Sequence, residues 1–148
     1  MRSLHLAAPE DLPKLLPLVA AFHEEQGFGT TPEHQHDAIA PLLEGSPHGA
    51  IWLIGPRRAP VGYVALSFGW SVEFGGLDAM IDELFIRRAV RKRGMGGEAL
   101  DALAKALREG GIHALHLEAR RDDDTLSRFY ARARFQPRDG YRLMSRVL

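Results

Sequence analysis

The sequence predicts a mixed α/β domain built around one central sheet. Three observations carry that prediction. Short apolar runs of strand length alternate with segments whose apolar residues recur every three or four positions. The run from Ala79 to Ala119 reads strand, helix, strand, which is a right-handed crossover with two parallel strands. The other strands are joined by turns that suit hairpins, so the sheet is mixed, mostly antiparallel and flanked by helices. At 148 residues the chain fits one domain, 1–148, able to bury one good core.

The elements follow in order. Ser3 to Ala7 is a short apolar-rich start that suits an edge strand. Leu12, Leu15, Leu16, Val19 and Phe22 recur at helical spacing, with Asp11 placed to cap the helix and Pro17 inside it to kink it. FGTTPEH is turn-like, and Glu33 to Leu43 reads as a second short helix containing Pro41. Ala50 to Ile54 and Val61 to Phe68 form strands around the turn GPRRAP, hence a hairpin. GWSVEFGG reads as a loop, and Ala79 to Ile86 as the third strand of the set. Met95, Ala99, Ala102, Leu103, Ala106 and Leu107 make one helical stripe that Gly110 and Gly111 stop. Ile112 to Ala119 is a further strand, Asp123 or Asp124 caps a helix through Ala133, and Phe135 to Leu148 reads as a final hairpin around Arg138-Asp139-Gly140.

Composition excludes several classes. The formal net charge is zero, so no global field draws the chain to nucleic acid or to an anionic membrane. The absence of Cys removes disulfides, thiolate catalysis and Cys-based zinc sites. MRSLHLAAPEDL has no long apolar run and carries acids early, so neither a signal peptide nor a membrane span is expected and the location is read as cytoplasmic. No metal is expected: His34 and His36 point apart on a helix, His113 and His116 take opposite faces of a strand, and no H-E-x-x-H occurs.

The stretch RKRGMGGEAL, residues 91 to 100, is the most informative. A helix N-terminus presents about four unpaired N–H donors and roughly half a positive charge. Glycines let backbone approach an anion closely, and Arg91, Lys92 and Arg93 add attraction. A strand, a basic turn, glycines and then a helix make a phosphate-binding arrangement. The pattern is neither a Walker loop nor the dinucleotide fingerprint, since no GK[ST] follows and position 99 is Ala. What remains is R-x-x-G-x-G on Arg91, Gly94 and Gly96. The bland alternative is a basic surface turn made flexible by glycine.

AMIDELFIRRAVRKRGMGGEAL, residues 79 to 100, resembles the central motif of the GNAT superfamily of N-acetyltransferases. DDTLSRFYARARF, residues 123 to 135, echoes that family's second signature through Phe129, Tyr130 and Phe135, with Asp123 in place of Asn, Leu126 of Ala and Arg134 of Gly. APEDLPKLLPLV resembles its first helix. The resemblance implies acetyl-CoA as cosubstrate. Its pyrophosphate would lie on Arg91, Lys92, Arg93, Gly94, Met95, Gly96 and Gly97, its pantetheine arm along Leu84, Phe85 and Ile86, and Asp123 on the cofactor side. It also implies a bulge that splays this strand from its parallel neighbour.

The chemistry implied is acyl transfer to an amine, by direct attack because no Cys can carry the acyl group. An ammonium has no lone pair, so a carboxylate must take its proton, directly or through water. Asp82 and Glu83 are adjacent on the central strand, and simple alternation puts them on opposite faces; the resemblance sets Glu83 slightly ahead of Asp82. A backbone N–H at Phe85 or Leu84 would meet the developing oxyanion, and the resemblance makes Tyr130 the general acid that gives the leaving thiolate its proton. The acceptor, a small molecule or a protein amine, would use Phe22 and Glu25 at the end of the first helix and Trp70 and Glu73 after the hairpin. Family habit implies a homodimer, though no stripe marks an interface. The alternative function is a coenzyme-A-binding sensor or scaffold without transfer, to which only the departures at Asp123, Leu126 and Arg134 point.

Overall fold

The computed structural model describes residues 3–148. In chain order its elements are β1 (Leu4–Leu6), α1 (Leu12–Gln26), α2 (Pro32–Leu43), β2 (Gly49–Ile54), β3 (Gly62–Ser71), β4 (Gly76–Ile86), α3 (Met95–Glu109), β5 (Ala114–Leu117) and α4 (Asp124–Arg132). The chain divides into two compact units, one ending at Glu118 and the other running Ala119–Leu148. The first holds the sheet and α1 to α3. Among the described residues no helix is long and apolar enough to cross a membrane.

The sheet runs β1-β2-β3-β4-β5. The first three pairings are antiparallel and β4–β5 is parallel, so the mixed, mostly antiparallel sheet predicted from the sequence is observed. One core joins α1 and α2 to one face: Leu15, Leu18, Val19, Ile39 and Leu43 pack with Ile51, Leu53, Tyr63, Ala65 and Phe85. Alternation sends Val64, Leu66, Ala79 and Ile81 to the opposite face, where they are also buried. A crossover helix lies on one face of its sheet. None of α3's residues joins the first core, and its own stripe of Ala99, Leu100, Leu103 and Leu107 is buried. It therefore belongs to the second face.

Several boundaries differ from the sequence reading. GWSVEFGG is mostly strand, because β3 runs on to Ser71 and β4 starts at Gly76, with Trp70 opposite Leu77. Only residues 72–75 turn, with Gly75 at φ +85°. Glycine composition read as a loop what cross-strand pairing extends into a long hairpin. β5 is shorter than expected, ending at Leu117. The final hairpin is not formed. Residues 136–148 turn at the predicted place, with the Tyr141 N–H bonded to Arg138 O at 3.1 Å, but no ladder follows. Asp11 does not cap α1, which continues through Pro17. Its carboxylate turns back to accept the Ala8 N–H at 2.8 Å and the Arg57 guanidinium at 2.9 Å. Burial pushes this carboxyl up, but these donors outweigh it and leave it below its ordinary 3.8.

In the second unit, α4 starts on the predicted cap, Asp123 accepting the Leu126 N–H at 2.9 Å. It ends in a Schellman turn: the Phe135 N–H bonds Tyr130 O at 3.0 Å and the Arg134 N–H bonds Ala131 O at 3.0 Å. The left-handed residue of that turn is Arg134, at φ +71°. The chain thus keeps the glycine conformation without the glycine. Arg134→Gly is expected to raise stability by about 1 kcal/mol, a Tm rise of about 2–4 °C. A fall in Tm by calorimetry would show that the arginine side chain offsets its backbone cost.

Candidate active site

The site begins with a defect in the sheet. Ala65 pairs with Glu83, yet Leu66 pairs with Ile81, so Asp82 is an extra residue bulged out of β4. Simple alternation of Asp82 and Glu83 therefore fails here. Glu83 takes the α1–α2 face with Tyr63 and Phe85, while Asp82 is exposed.

On its other side β4 loses its partner at the same place. The parallel ladder with β5 runs from Asp78↔Ala114 to Ile81↔Leu117 and stops. The Arg87 N–H bonds Val61 O at 2.8 Å, which makes Gly62↔Ile86 and Val64↔Leu84 the non-hydrogen-bonded pairs of the β3–β4 ladder. The backbone groups of Leu84 and Ile86 consequently point away from β3. They line an open strand edge that β5 does not cover. Of the two backbone N–H groups singled out in the sequence, that of Leu84 faces this edge and that of Phe85 is directed to β3.

The edge leads into the glycine turn. Gly94 is the left-handed residue before α3, at φ +81°, and Lys92 is also left-handed at φ +65°. A Cβ built on Gly94 or Gly97 would meet nothing within 4 Å, so the turn faces open space. The first α3 bond runs from the Glu98 N–H to Gly94 O at 3.0 Å. The N–H groups of Met95, Gly96 and Gly97 precede it and have no helical acceptor. Lys92 and Arg93 are exposed beside them. These residues fit a diphosphate: free donors, a positive helix end, adjacent cations and no side chain in the way.

Arg91 is used differently. Its Nε donates to Ile86 O at 2.7 Å, and one terminal nitrogen donates to both oxygens of Glu25 at 2.9 and 2.8 Å. Its guanidinium lies 5.5 Å from the Phe85 ring centre, and Arg88 approaches Glu25 at 3.6 Å. Glu25, placed by the sequence on the acceptor side, is thus an ion-pair partner at the end of α1.

Glu83 sits in a network that sequence reasoning missed. The Tyr63 hydroxyl, on a fully buried residue, donates to Oε1 at 2.8 Å. His23 Nε2 lies 2.7 Å from Oε2. His23 Nδ1 lies 2.6 Å from Thr30 Oγ1, which in turn accepts Gln35 Nε2 at 3.0 Å. Burial, and then the Glu83 charge, push the Tyr63 phenol far up, so it remains a donor. The sequence placed His23 with Phe22 and Glu25 at the acceptor-side end of α1, but gave no sign of its bond to Glu83. Tyr63 had no signal, since its meeting with Glu83 depends on strand register.

The remaining predicted residues are dispersed. Phe22 packs edge-on to Phe28 and Tyr63, at 6.1 and 6.3 Å, and joins the core rather than a free wall. Trp70 is 71% exposed near the hairpin tip, and Glu73 lies in its turn. Tyr130 and Asp123 belong to the second unit. There the Tyr130 ring packs on Phe129 and Phe135 at 5.2 and 5.9 Å, and burial followed by the Asp123 charge raises its phenol. Among the described residues no group of three or more His, Asp or Glu side chains could hold a metal ion.

A bulged strand whose parallel ladder ends at Ile81, followed by a glycine turn opening a helix, is the arrangement that the resemblance to the acetyltransferases implied. The chain belongs to the acetyltransferase (GNAT) family, whose model matches residues 16–135. It is 32% identical to an integron cassette protein from the mobile metagenome of Cole Harbour Salt Marsh, over 99% of this chain and 90% of that one, with a TM-score of 0.86. Two further solved structures share the fold. One is an aminoglycoside acetyltransferase from an uncultured soil metagenomic sample, 17% identical over 98% and 95% of the two chains, with a TM-score of 0.82. The other is a ribosomal-protein-alanine N-acetyltransferase from Brucella melitensis biovar Abortus 2308, 18% identical over 99% of each chain, with a TM-score of 0.75. No curated protein matches the sequence.

Proposed function

We propose that the chain transfers an acetyl group from acetyl-CoA to an amine by direct attack within a ternary complex. The supporting observation is the β4 edge, which has the Glu83 carboxylate at its bulge, outward backbone groups at Leu84 and Ile86, and the glycine turn beyond its end. Each part answers one demand of the reaction. The Met95, Gly96 and Gly97 N–H groups hold the diphosphate, with Lys92 and Arg93 beside it. The Leu84 N–H meets charge developing on the thioester oxygen. Glu83 accepts the amine proton, directly or through water, as the C–N bond forms and the C–S bond breaks. Most of the catalytic effect comes from holding the two substrates together.

The motif gives Tyr130 the leaving-group side. With its phenol raised, it acts as a hydrogen-bond donor to the thiolate that stays protonated itself. Tyr130→Phe is expected to slow thiol release while acetyl-CoA affinity holds; a parent-like rate would remove the role. The departure at Arg134 does not favour a non-catalytic reading, because the backbone there keeps its left-handed turn.

The test has two stages. Thermal unfolding is followed with acetyl-CoA, coenzyme A and ATP, and a ligand at about 100 times its Kd adds about 2.7 kcal/mol. Thiol release is then measured over a panel of primary amines. Stabilisation by both coenzyme A species and amine-dependent thiol release support the proposal. Stabilisation without release from any amine would leave only a binding domain, and no stabilisation would sink both readings.

A further inference from the structure

The His23 imidazole lies between Glu83 and Thr30, and the tautomer of the neutral ring follows from what those two partners can accept and donate. Among the described residues no buried side-chain nitrogen or oxygen lacks a partner. The Gln35 amide nitrogen can only donate, so Thr30 Oγ1 accepts at 3.0 Å. The Glu83 carboxylate can only accept, so Nε2 carries the proton of a neutral imidazole, and Nδ1, 2.6 Å from Thr30 Oγ1, accepts the one hydrogen of the threonine hydroxyl. Nδ1 is then the unprotonated nitrogen. The imidazole proton sits on Nε2 and points to Glu83 Oε2 at 2.7 Å. The chain runs in one direction, from Gln35 on α2 through Thr30 in the α1–α2 connection and His23 on α1 to Glu83 on β4.

Both ring nitrogens are therefore occupied, which leaves His23 no lone pair for the acceptor amine. We propose that His23 is a positioning residue for Glu83, kept as the Nε2–H tautomer by the Glu83 carboxylate on one side and the Thr30 hydroxyl on the other. The assignment rests on the acyl-transfer reading above. Two donors from different elements, Tyr63 on β3 and His23 on α1, fix the two carboxylate oxygens in one orientation. One lone pair on each oxygen remains for the amine proton. Phe28, 55% exposed, stacks edge-on to the imidazole at 5.1 Å. A carboxylate free to rotate would present its lone pairs to the amine only part of the time, and orientation of reacting groups is a large share of such rates.

The experiment uses the whole chain and three substitutions. His23→Phe keeps the ring packing and removes the donor. His23→Gln places an amide N–H where Nε2–H stands. Thr30→Val removes the hydroxyl at nearly constant shape. The expected result for His23→Phe is a kcat lower by about tenfold or more, with KM for acetyl-CoA within about twofold. His23→Gln is expected to recover kcat to within about threefold of the parent, and Thr30→Val to fall between the two. The second readout needs no turnover: imidazole nitrogen NMR should show the Nε2–H tautomer in the parent, and in Thr30→Val the proton should stay on Nε2 while the Nδ1 signal moves as its hydrogen bond is lost. An Nδ1–H tautomer in the parent, or parent kinetics in His23→Phe, would overturn the assignment. A loss of activity in His23→Gln as deep as in His23→Phe would do so too. A chain that transfers to no amine would sink the proposed function, while the tautomer still decides the arrangement around Glu83.

Discussion

Glu83→Gln is expected to lower kcat about 100-fold, the lower end of the usual range for removing a general base, while acetyl-CoA affinity changes by less than about twofold. The affinity should hold because the proposed cofactor contacts are backbone groups of β4 and the glycine turn. The substitution also disturbs the native network. Glutamine offers one acceptor and one donor where glutamate offered two acceptors. With its oxygen toward Tyr63, its nitrogen faces the His23 Nε2–H, and two donors collide. With the amide reversed, the buried Tyr63 hydroxyl loses its acceptor. Either arrangement costs about 1–3 kcal/mol of stability, so the kinetic comparison is made well below the lowered Tm. A Gln variant that turns over like the parent would exclude Glu83 as the base and turn attention to the exposed Asp82.

What could be read in the sequence was local. The glycine turn is six residues in which charge, glycine and helix start lie side by side, and the structure gives each of them a place. The order of the sheet elements up to β5 was legible for the same reason, since each strand and helix carries its own apolar period. The resemblance set Glu83 only slightly ahead of Asp82, and the network around Glu83 was not legible, because Glu83 faces His23 and Tyr63 only through a bulge at Asp82 and the pairing of β3 with β4, relations between residues 20 and 60 apart. Composition misled at the β3–β4 hairpin, where Gly69, Gly75 and Gly76 suggested a loop although Trp70 and Leu77 pair across it. It misled again after Phe135, where Tyr141, Leu143 and Met144 suggested strands and all three are exposed.

Arg91 illustrates a different limit. Sequence grouped it with the phosphate cations, and in the structure its guanidinium is engaged by Ile86 O and Glu25. By bonding Ile86 O and Glu25 together it ties the end of α1 to the end of β4, next to the open edge. In the proposed function the turn would hold a diphosphate by its backbone donors and by Lys92 and Arg93, which makes the glycines the place to test it.

Gly94→Asp and Gly94→Asn separate charge from backbone in that test. Gly94 is at φ +81°, and each replacement costs about 1 kcal/mol of strain, with Asn and Asp among the residues that tolerate this region best. The two side chains have nearly the same shape, so the difference between them is one negative charge at the start of α3. In the free protein that charge is mildly favourable, since an anion near a helix N-terminus gains about 0.3–1 kcal/mol. Against a bound diphosphate it is repulsive: a unit charge about 6 Å away, at an effective dielectric of about 20, costs about 3 kcal/mol before salt screening. Stability and binding should therefore move in opposite directions. Gly94→Asp is expected to melt no lower than Gly94→Asn, yet to bind acetyl-CoA about ten- to hundredfold more weakly, with the gap narrowing as salt is raised. Calorimetry that gave the two variants equal affinity would mean that no phosphate approaches this turn, whatever its sequence resembles. Because Gly94 carries no part of the Glu83 network, that result would leave the base untouched and move only the cofactor.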